Sequence, residues 1–457
     1  MFRKKPSAHH YHSLFEQKQK AFEKFHEPVN YRDTWQIFRI MSEFVSGYQL
    51  LGQFEKTATI FGSARSEEKS FAYREAYECG LFLGQRGYSV ITGGGPGVME
   101  AGNRGAKEAG VDSIAISIQL PEEQILNPYV TQNAGFNYFF IRKIMLISPA
   151  EAAIFFPGGY GTMDEIFELL DLIEIGKIKK IPVIAVGKDF WNPLIEFLRQ
   201  GPKDLINAID QKHLDLFKIV DSAEEAVELV DQFGVHKNLC NPSDTSDPYC
   251  AQTMNWRIFR IMAEVVEGFE FLTREVREDI TILGTNSLGS DSPYYQAAEK
   301  VSFDLGKKGY SIITGGGLGI MEAASKGAKE AGTESIGFSL KFDDVATINK
   351  YLTKSLSFNF PYIRKLILTV PSKAFIFFPG GLGTLHQLFE VLTLMKTKKM
   401  QEMTVLLYGK KFWAPLDKFI HETLLKKYDT IAPEYAELYK IVDSPEEVNQ
   451  YIPSLKK

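Results

Sequence analysis

The chain has 457 residues, 44% hydrophobic and 24% charged, a composition ordinary for a globular protein and a length too great for one core. Its formal net charge of −5 and pI near 6.0 exclude bulk attraction to nucleic acid or an anionic membrane. Only a local basic pocket for one phosphate stays open. Three cysteines, Cys79, Cys240 and Cys250, give neither a disulfide framework nor a zinc-ligand spacing, so a reducing cytoplasm is expected.

Residues 1–30 read as an N-terminal arm, predicted helical after Ser13. The arm is basic but has no apolar stretch behind the charges, so no secretory signal is expected. No segment reaches the roughly 18 uninterrupted apolar residues of a membrane helix. His9, His10 and His12 are metal-ligand types, yet an arm seldom fixes ligand geometry, and no metal is expected. From Trp35 to Leu51 an amphipathic helix is predicted, followed by a short buried strand in TATIFGSA. A helix around Phe71–Arg86, the strand YSVIT, a glycine turn and a helix from Val98 come next. The strand SIAISI, the helix FFIRKIMLI, the strand AAIFF, a second glycine turn, the helix TMDEIFELLDLIE and the strand IPVIAV complete the series. Strands alternating with helices predict an α/β fold, a mostly parallel, doubly wound Rossmann-like sheet with helices on both faces.

The whole series then recurs. ITGGGPGVMEAGNRGAKEAG from Ile91 returns as ITGGGLGIMEAASKGAKEAG from Ile313, and FFPGGYGT from Phe155 returns as FFPGGLGT from Phe377. Gly93 and Gly315 differ by 222, as do Arg142 and Arg364, Gly158 and Gly380, and Trp191 and Trp413. So constant an offset means tandem duplication of a unit large enough to own a core. VHKNLCNPSDTSDPYC lacks apolar periodicity and reads as a linker at 235–250. The expected units are 31–234 and 251–457.

Ligands of such sheets sit beyond the carboxyl ends of the strands. Three of those ends in the first unit carry small residues: Gly62-Ser63-Ala64, Gly93-Gly94-Gly95-Pro96-Gly97 and Pro157-Gly158-Gly159-Tyr160-Gly161-Thr162. Glycine lets backbone N–H groups approach an anion, and a following helix adds a favourable dipole, although any one such turn is also explained by geometry alone. Neither longer turn has a Walker lysine, and no acid is spaced for a dinucleotide ribose, so a mononucleotide suits the layout best.

GGGPGVMEA, Arg142-Lys143 in FFIRK, and PGGYGTMDE together resemble the Lonely Guy family, long labelled lysine decarboxylases. Its P-G-G-x-G-T-x-x-E motif is matched from Pro157 to Glu165. The resemblance implies a phosphoribohydrolase that cleaves nucleoside 5′-monophosphates to free base and ribose 5-phosphate without a cofactor. It implies Glu165 and Arg142 as the catalytic pair. It also implies substrate contacts from Gly62, Ser63, Gly94, Gly95, Gly97, Lys143, Gly158, Gly159, Tyr160, Gly161 and Thr162. Glu123, in LPEEQ, is a weaker candidate, since a solvated loop carboxylate explains it as well. The family's homodimers, with sites near the subunit interface, lead us to expect an intramolecular pseudo-dimer, with further homo-oligomerisation left open.

Thr162-x-x-Glu165 is equally a capping box, with Glu165 serving only its helix end. The second unit has Gln387 in that position, which caps as well as glutamate but carries no charge, so this unit is expected to be catalytically dead or badly impaired. Asp164 would repel a phosphate and is expected to point away. Arg142-Lys143 also reads as a solvated helix face. Glu100 suits helix capping or ribose contact. Phe136, Tyr138, Phe139 and Phe140 suit core packing or base stacking. Two other functions compete with the hydrolase. One is a non-catalytic nucleotide sensor; the other is a decarboxylase, ranked last because no lysine stands in a pyridoxal phosphate setting.

Overall fold

The computed structural model describes residues 31–119, 126–233, 251–275, 279–341 and 346–455. The arm and linker expected at 1–30 and 235–250 lie outside them, as does Glu123. In the first unit the strands are β1 (Thr57–Phe61), β2 (Ser89–Thr92), β3 (Ser113–Ile118), β4 (Gln132–Phe136), β5 (Ala152–Phe155), β6 (Val183–Val186) and β7 (Phe217–Val220). The helices that matter for the site are α1 (Tyr31–Leu51), α2 (Phe71–Gln85), α3 (Val98–Glu108), α4 (Phe139–Ile147) and α5 (Tyr160–Glu174).

All seven strands are parallel, in the order β4-β3-β2-β1-β5-β6-β7. The order reverses between β1 and β5, which makes the crevice at their carboxyl ends the topological switch point of the sheet. Strands β1 and β5 are buried throughout, as a strand covered by helices on both faces must be. Their two polar side chains are satisfied: Thr57 Oγ1 donates to the Pro149 carbonyl and Thr59 Oγ1 to that of Leu146, both at 2.7 Å. Two strands escaped the sequence reading. β4 is an edge strand, QNAGF, with one buried residue, and β7 is the four-residue FKIV.

The second unit repeats the plan. Its strands are β8 (Asp279–Leu283), β9 (Ser311–Thr314), β10 (Ser335–Leu340), β11 (Lys354–Phe358), β12 (Ser372–Phe377), β13 (Thr404–Tyr408) and β14 (Lys440–Val442), in the matching order β11-β10-β9-β8-β12-β13-β14. Its corresponding helices are α6 (Ala251–Glu275), α7 (Pro293–Lys307), α8 (Ile320–Ala331), α9 (Pro361–Thr369) and α10 (Leu382–Lys396).

The units are joined face to face about a pseudo-two-fold axis, with one hydrophobic core running through both. Equivalent residues meet each other on that axis, as an isologous contact requires. Phe167 stacks on its counterpart Phe389 at 5.5 Å with rings 5° from parallel, and Phe140 stacks on its counterpart Tyr362 at 6.4 Å. Helices α5 and α10 cross this axis antiparallel, so each one's start lies against the other's end. Away from the axis the contacts come in matched pairs: Lys399 Nζ donates to the Gln119 carbonyl at 2.6 Å, and Lys177 Nζ to that of Lys341 at 3.0 Å. Among the described residues no helix is long and apolar enough to cross a membrane.

Candidate active site

The three glycine turns of the first unit are tied into one wall. Ser63 N–H donates to the Pro157 carbonyl, and Val98 N–H donates to the Ser63 carbonyl, both at 3.0 Å. Gly97 has φ of +69°, and a side chain on it would strike the Ser63 carbonyl, so only glycine fits. Gly62 packs against Val98 with similar tightness. Gly94 has φ of +75°, and its N–H is already given to Thr92 Oγ1 at 2.9 Å, which makes it a turn-former. The carbonyls of Gly94 and Gly95 both receive Asn127 Nδ2 at 3.1 Å, and Asn127 also binds buried Asn103 at 2.9 Å. Asn127 was missed in the sequence; its recurrence as Asn349, on Gly316 and Gly317, was the available signal.

In the third turn, Gly158 sits on the Thr162 hydroxyl and Gly159 is the N-cap of α5. Gly159 is pressed against the Thr430 carbonyl of the second unit, and Tyr160, fully buried, donates its hydroxyl to the Tyr435 carbonyl at 2.9 Å. Tyr160 therefore serves the seam between units. Gly161 faces open space, with no atom within 4 Å of the position a Cβ would take. The first N–H groups of α5 thus open beside an uncovered glycine, the arrangement a phosphate group needs.

Because α5 begins at Tyr160, Thr162 and Glu165 lie within its first two turns and do not form a capping box. The capping account of Glu165 is overturned. Its carboxylate instead accepts Arg142 Nη1 at 3.1 Å, and both side chains are about nine-tenths buried. Arg142 is aimed by its backbone partner, Nε donating to the Ile116 carbonyl within β3 at 3.2 Å. Its other nitrogen lies against Gly93, where any Cβ would collide at 2.6 Å. Burial pushes the Glu165 carboxyl above its ordinary value, and Arg142 and Lys143 pull back against that shift. Arg364 keeps the carbonyl anchor, on Phe338 at 2.7 Å, but Gln387 stands where the carboxylate should be. Burial draws the Arg364 guanidinium down to about 10, opposed by Asp171.

Lys143 does not turn toward the glycine turns, and it is not on a solvated face. It is 1% exposed, 2.9 Å from Asp164, 3.0 Å from Glu168 and 3.7 Å from Glu390 of the second unit. Next to it His386 contacts Lys143, Lys365 and Asp171. This buried cluster of charges crosses the pseudo-two-fold axis and explains where Asp164 points. Burial raises the Asp164 carboxyl well above its usual range. Burial also acts to raise Glu168, but Lys143, His386 and Lys365 together hold it lowered. Phe136, Phe139 and Phe140 are core, and Glu100 accepts the Tyr73 hydroxyl at 3.4 Å. Among the described residues no group of three or more histidine, cysteine or acidic side chains could hold a metal ion.

The fold and site define a class: a tandem pair of Rossmann-like units with glycine turns at the carboxyl ends of the strands, one of them carrying an arginine–carboxylate couple. The chain belongs to the family described as possible lysine decarboxylase, whose model matches residues 99–230 and again 321–452, and which includes the Lonely Guy proteins. It is 30% identical over 128 residues to an uncharacterised protein of Archaeoglobus fulgidus, covering 28% of this chain and 82% of that one. It is 29% identical over 181 residues to the rice (Oryza sativa subsp. japonica) cytokinin riboside 5′-monophosphate phosphoribohydrolase, covering 39% of this chain and 72% of that one. It is 27% identical over 236 residues to the Escherichia coli pyrimidine/purine nucleotide 5′-monophosphate nucleosidase, covering 48% of this chain and 49% of that one.

Proposed function

We propose that the first unit hydrolyses the N-glycosidic bond of a nucleoside 5′-monophosphate, releasing the free base and ribose 5-phosphate. The observation that carries this is the buried pair of Arg142 on α4 and Glu165 on α5, 3.1 Å apart, with Glu165 on the helix whose open N-terminus is lined by Gly158, Gly161 and Thr162. The activities printed for the rice and E. coli relatives belong to the same reaction class.

In this reaction the bond from ribose C1′ to the base nitrogen breaks, and its electron pair leaves with the base. Water oxygen bonds to C1′, and a water proton ends on the departing base. Positive charge builds on the ribose ring as the bond stretches, and a desolvated carboxylate beside the ring stabilises it. Glu165 is the carboxylate placed for that role at the turn, and Arg142 fixes one of its oxygens. The amides at the start of α5 and the Thr162 hydroxyl hold the 5′-phosphate, which places C1′ at a set distance from the helix end. The pseudo-dimer acts as one enzyme with one catalytic carboxylate, because Gln387 cannot supply charge.

The test is incubation of the purified chain with a panel of purine and pyrimidine 5′-monophosphates, with products separated by chromatography. Base and ribose 5-phosphate in equal amounts are expected. Tight nucleotide binding with no product from any member of the panel would make the chain a sensor instead.

A further inference from the structure

The two glycine cradles have the same backbone but not the same neighbours. Each cradle is faced by the end of the other unit's long helix. Asp171, on α5, puts Oδ1 3.0 Å from the position a Cβ would take on Gly383, while Phe167 and Phe389 meet at the axis. Glu174 lies one helical turn beyond Asp171 on the same face of α5. Their counterparts in the second unit are Thr393 and Lys396 on α10, so the pseudo-two-fold image of the Asp171–Gly383 approach turns that face of α10 toward the Gly161 side of the first cradle. So the second cradle looks onto two acids, and the first onto a hydroxyl and an ammonium.

The contacts of Lys396 agree with that placement. Its Nζ lies 5.7 Å from the centre of the Tyr435 ring, and the Tyr435 carbonyl is the acceptor of Tyr160, the first residue of α5. It is close enough to feel Arg65, which follows Ser63 in the β1 turn and is bonded to Asp429 at 3.4 Å. Lys396 is partly buried, and among the described residues its ammonium has no ion pair or hydrogen bond. Thr393 is 3% exposed, and its Oγ1 has no partner either. A buried hydroxyl with no hydrogen-bond partner and an ammonium held against an aromatic ring, both on the side of a helix N-terminus, suit an anionic ligand. On the other side the equivalents are occupied: Asp171 pairs with Lys365 at 3.3 Å, and Glu174 pairs with His213, the counterpart of Tyr435, at 3.1 Å. Arg65 has become Ser287.

We propose that Lys396, delivered by the second unit, binds the 5′-phosphate in the first unit's cradle, and that Asp171 and Glu174, delivered by the first unit, keep phosphate out of the second. The second unit is thus half of the active site, and each chain holds one nucleotide. This rests on the hydrolase reading for the substrate but not for the anion. Burial, and the Arg65 charge behind it, draw Lys396 down to about 8, which leaves it charged at neutral pH and in need of a counter-ion.

The probe is ribose 5-phosphate, titrated calorimetrically into the intact chain and into Lys396→Gln and Lys396→Arg. One molecule per wild-type chain is expected, with affinity lost roughly 10- to 100-fold in Lys396→Gln and largely kept in Lys396→Arg. In the base-release assay Lys396→Gln raises KM by a similar factor for the monophosphate, while Lys396→Arg largely restores it. Two bound molecules per chain, or unaltered affinity in a folded Lys396→Gln protein, overturns the proposal. If no base is released but binding depends on Lys396, the hydrolase reading falls and the phosphate site stands. If base is released and binding ignores Lys396, the reverse holds.

Discussion

Arg142 Nη1 stands 3.1 Å from Glu165 Oε1, and the equivalent Arg364 has no such carboxylate because Gln387 replaces it. The two arginines share a carbonyl partner in the third strand, a glycine against the guanidinium and the equivalent carrying helix.

Restoring that carboxylate does not restore a site. In a Glu165→Gln background, Gln387→Glu rebuilds the arginine–carboxylate couple beside Arg364, but Asp171 and Glu174 still face the second cradle. The double variant is expected to release no base above the Glu165→Gln level in a chromatographic assay. Recovery of even a few per cent of wild-type activity counts against the charge argument.

The pH profile should have two limbs of different origin. Glu165 must be ionised to stabilise the ribosyl cation, and burial raises it above the ordinary glutamate value of about 4.3. kcat therefore falls as pH drops through that raised value. Lys396 must be protonated to bind phosphate and is drawn down to about 8, so KM climbs as pH rises through that point. The groups around Lys396 are Arg65, with its partner Asp429, and the Tyr160 and Tyr435 rings. Steady-state kinetics on Lys396→Gln should keep the acid limb and lose the alkaline one.

The two units should unfold together. Phe167 and Phe389 are both fully buried at the axis, and truncating either to alanine should cost about 3–5 kcal/mol. Calorimetry is expected to give a single transition for the wild type, moved to lower temperature in Phe167→Ala. Two separated transitions in the wild-type chain contradict the shared core.

The buried charge cluster gives a sharper stability test. Lys143→Met removes the ammonium and leaves Asp164, Glu168 and Glu390 without it, a loss of about 3–5 kcal/mol. Adding Asp164→Asn should return part of that loss in urea titrations, because one uncompensated carboxylate disappears. A Lys143→Met protein as stable as the wild type would show that the cluster does not hold the seam.

Much of this was legible in the sequence, for definite reasons. The 222-residue offset, the glycine turns and the five apolar strands are local patterns, and chemistry writes them locally. β4 was invisible because QNAGF is an edge strand with one buried residue, and edge strands need no apolar alternation. The capping-box ambiguity at Thr162 and Glu165 depended on where α5 begins, which Gly159 fixes through its packing on the second unit. Lys143 looked like a companion of Arg142 because neighbours on a helix point about 100° apart, and the sequence does not say which faces the partner unit. A signal for the seam did exist: Asp164, Glu168 and Asp171 fall at i, i+4 and i+7 on one face of an otherwise apolar helix. So did one for Lys396, as a lysine set against Glu174 between otherwise matching repeats.

The most direct measurement is base release by Glu165→Gln at saturating nucleoside monophosphate, with ribose 5-phosphate affinity measured on the same sample. Loss of kcat by roughly 10²- to 10⁴-fold with affinity retained is the predicted result. Turnover within a few-fold of the wild type in a correctly folded Glu165→Gln chain would contradict the account.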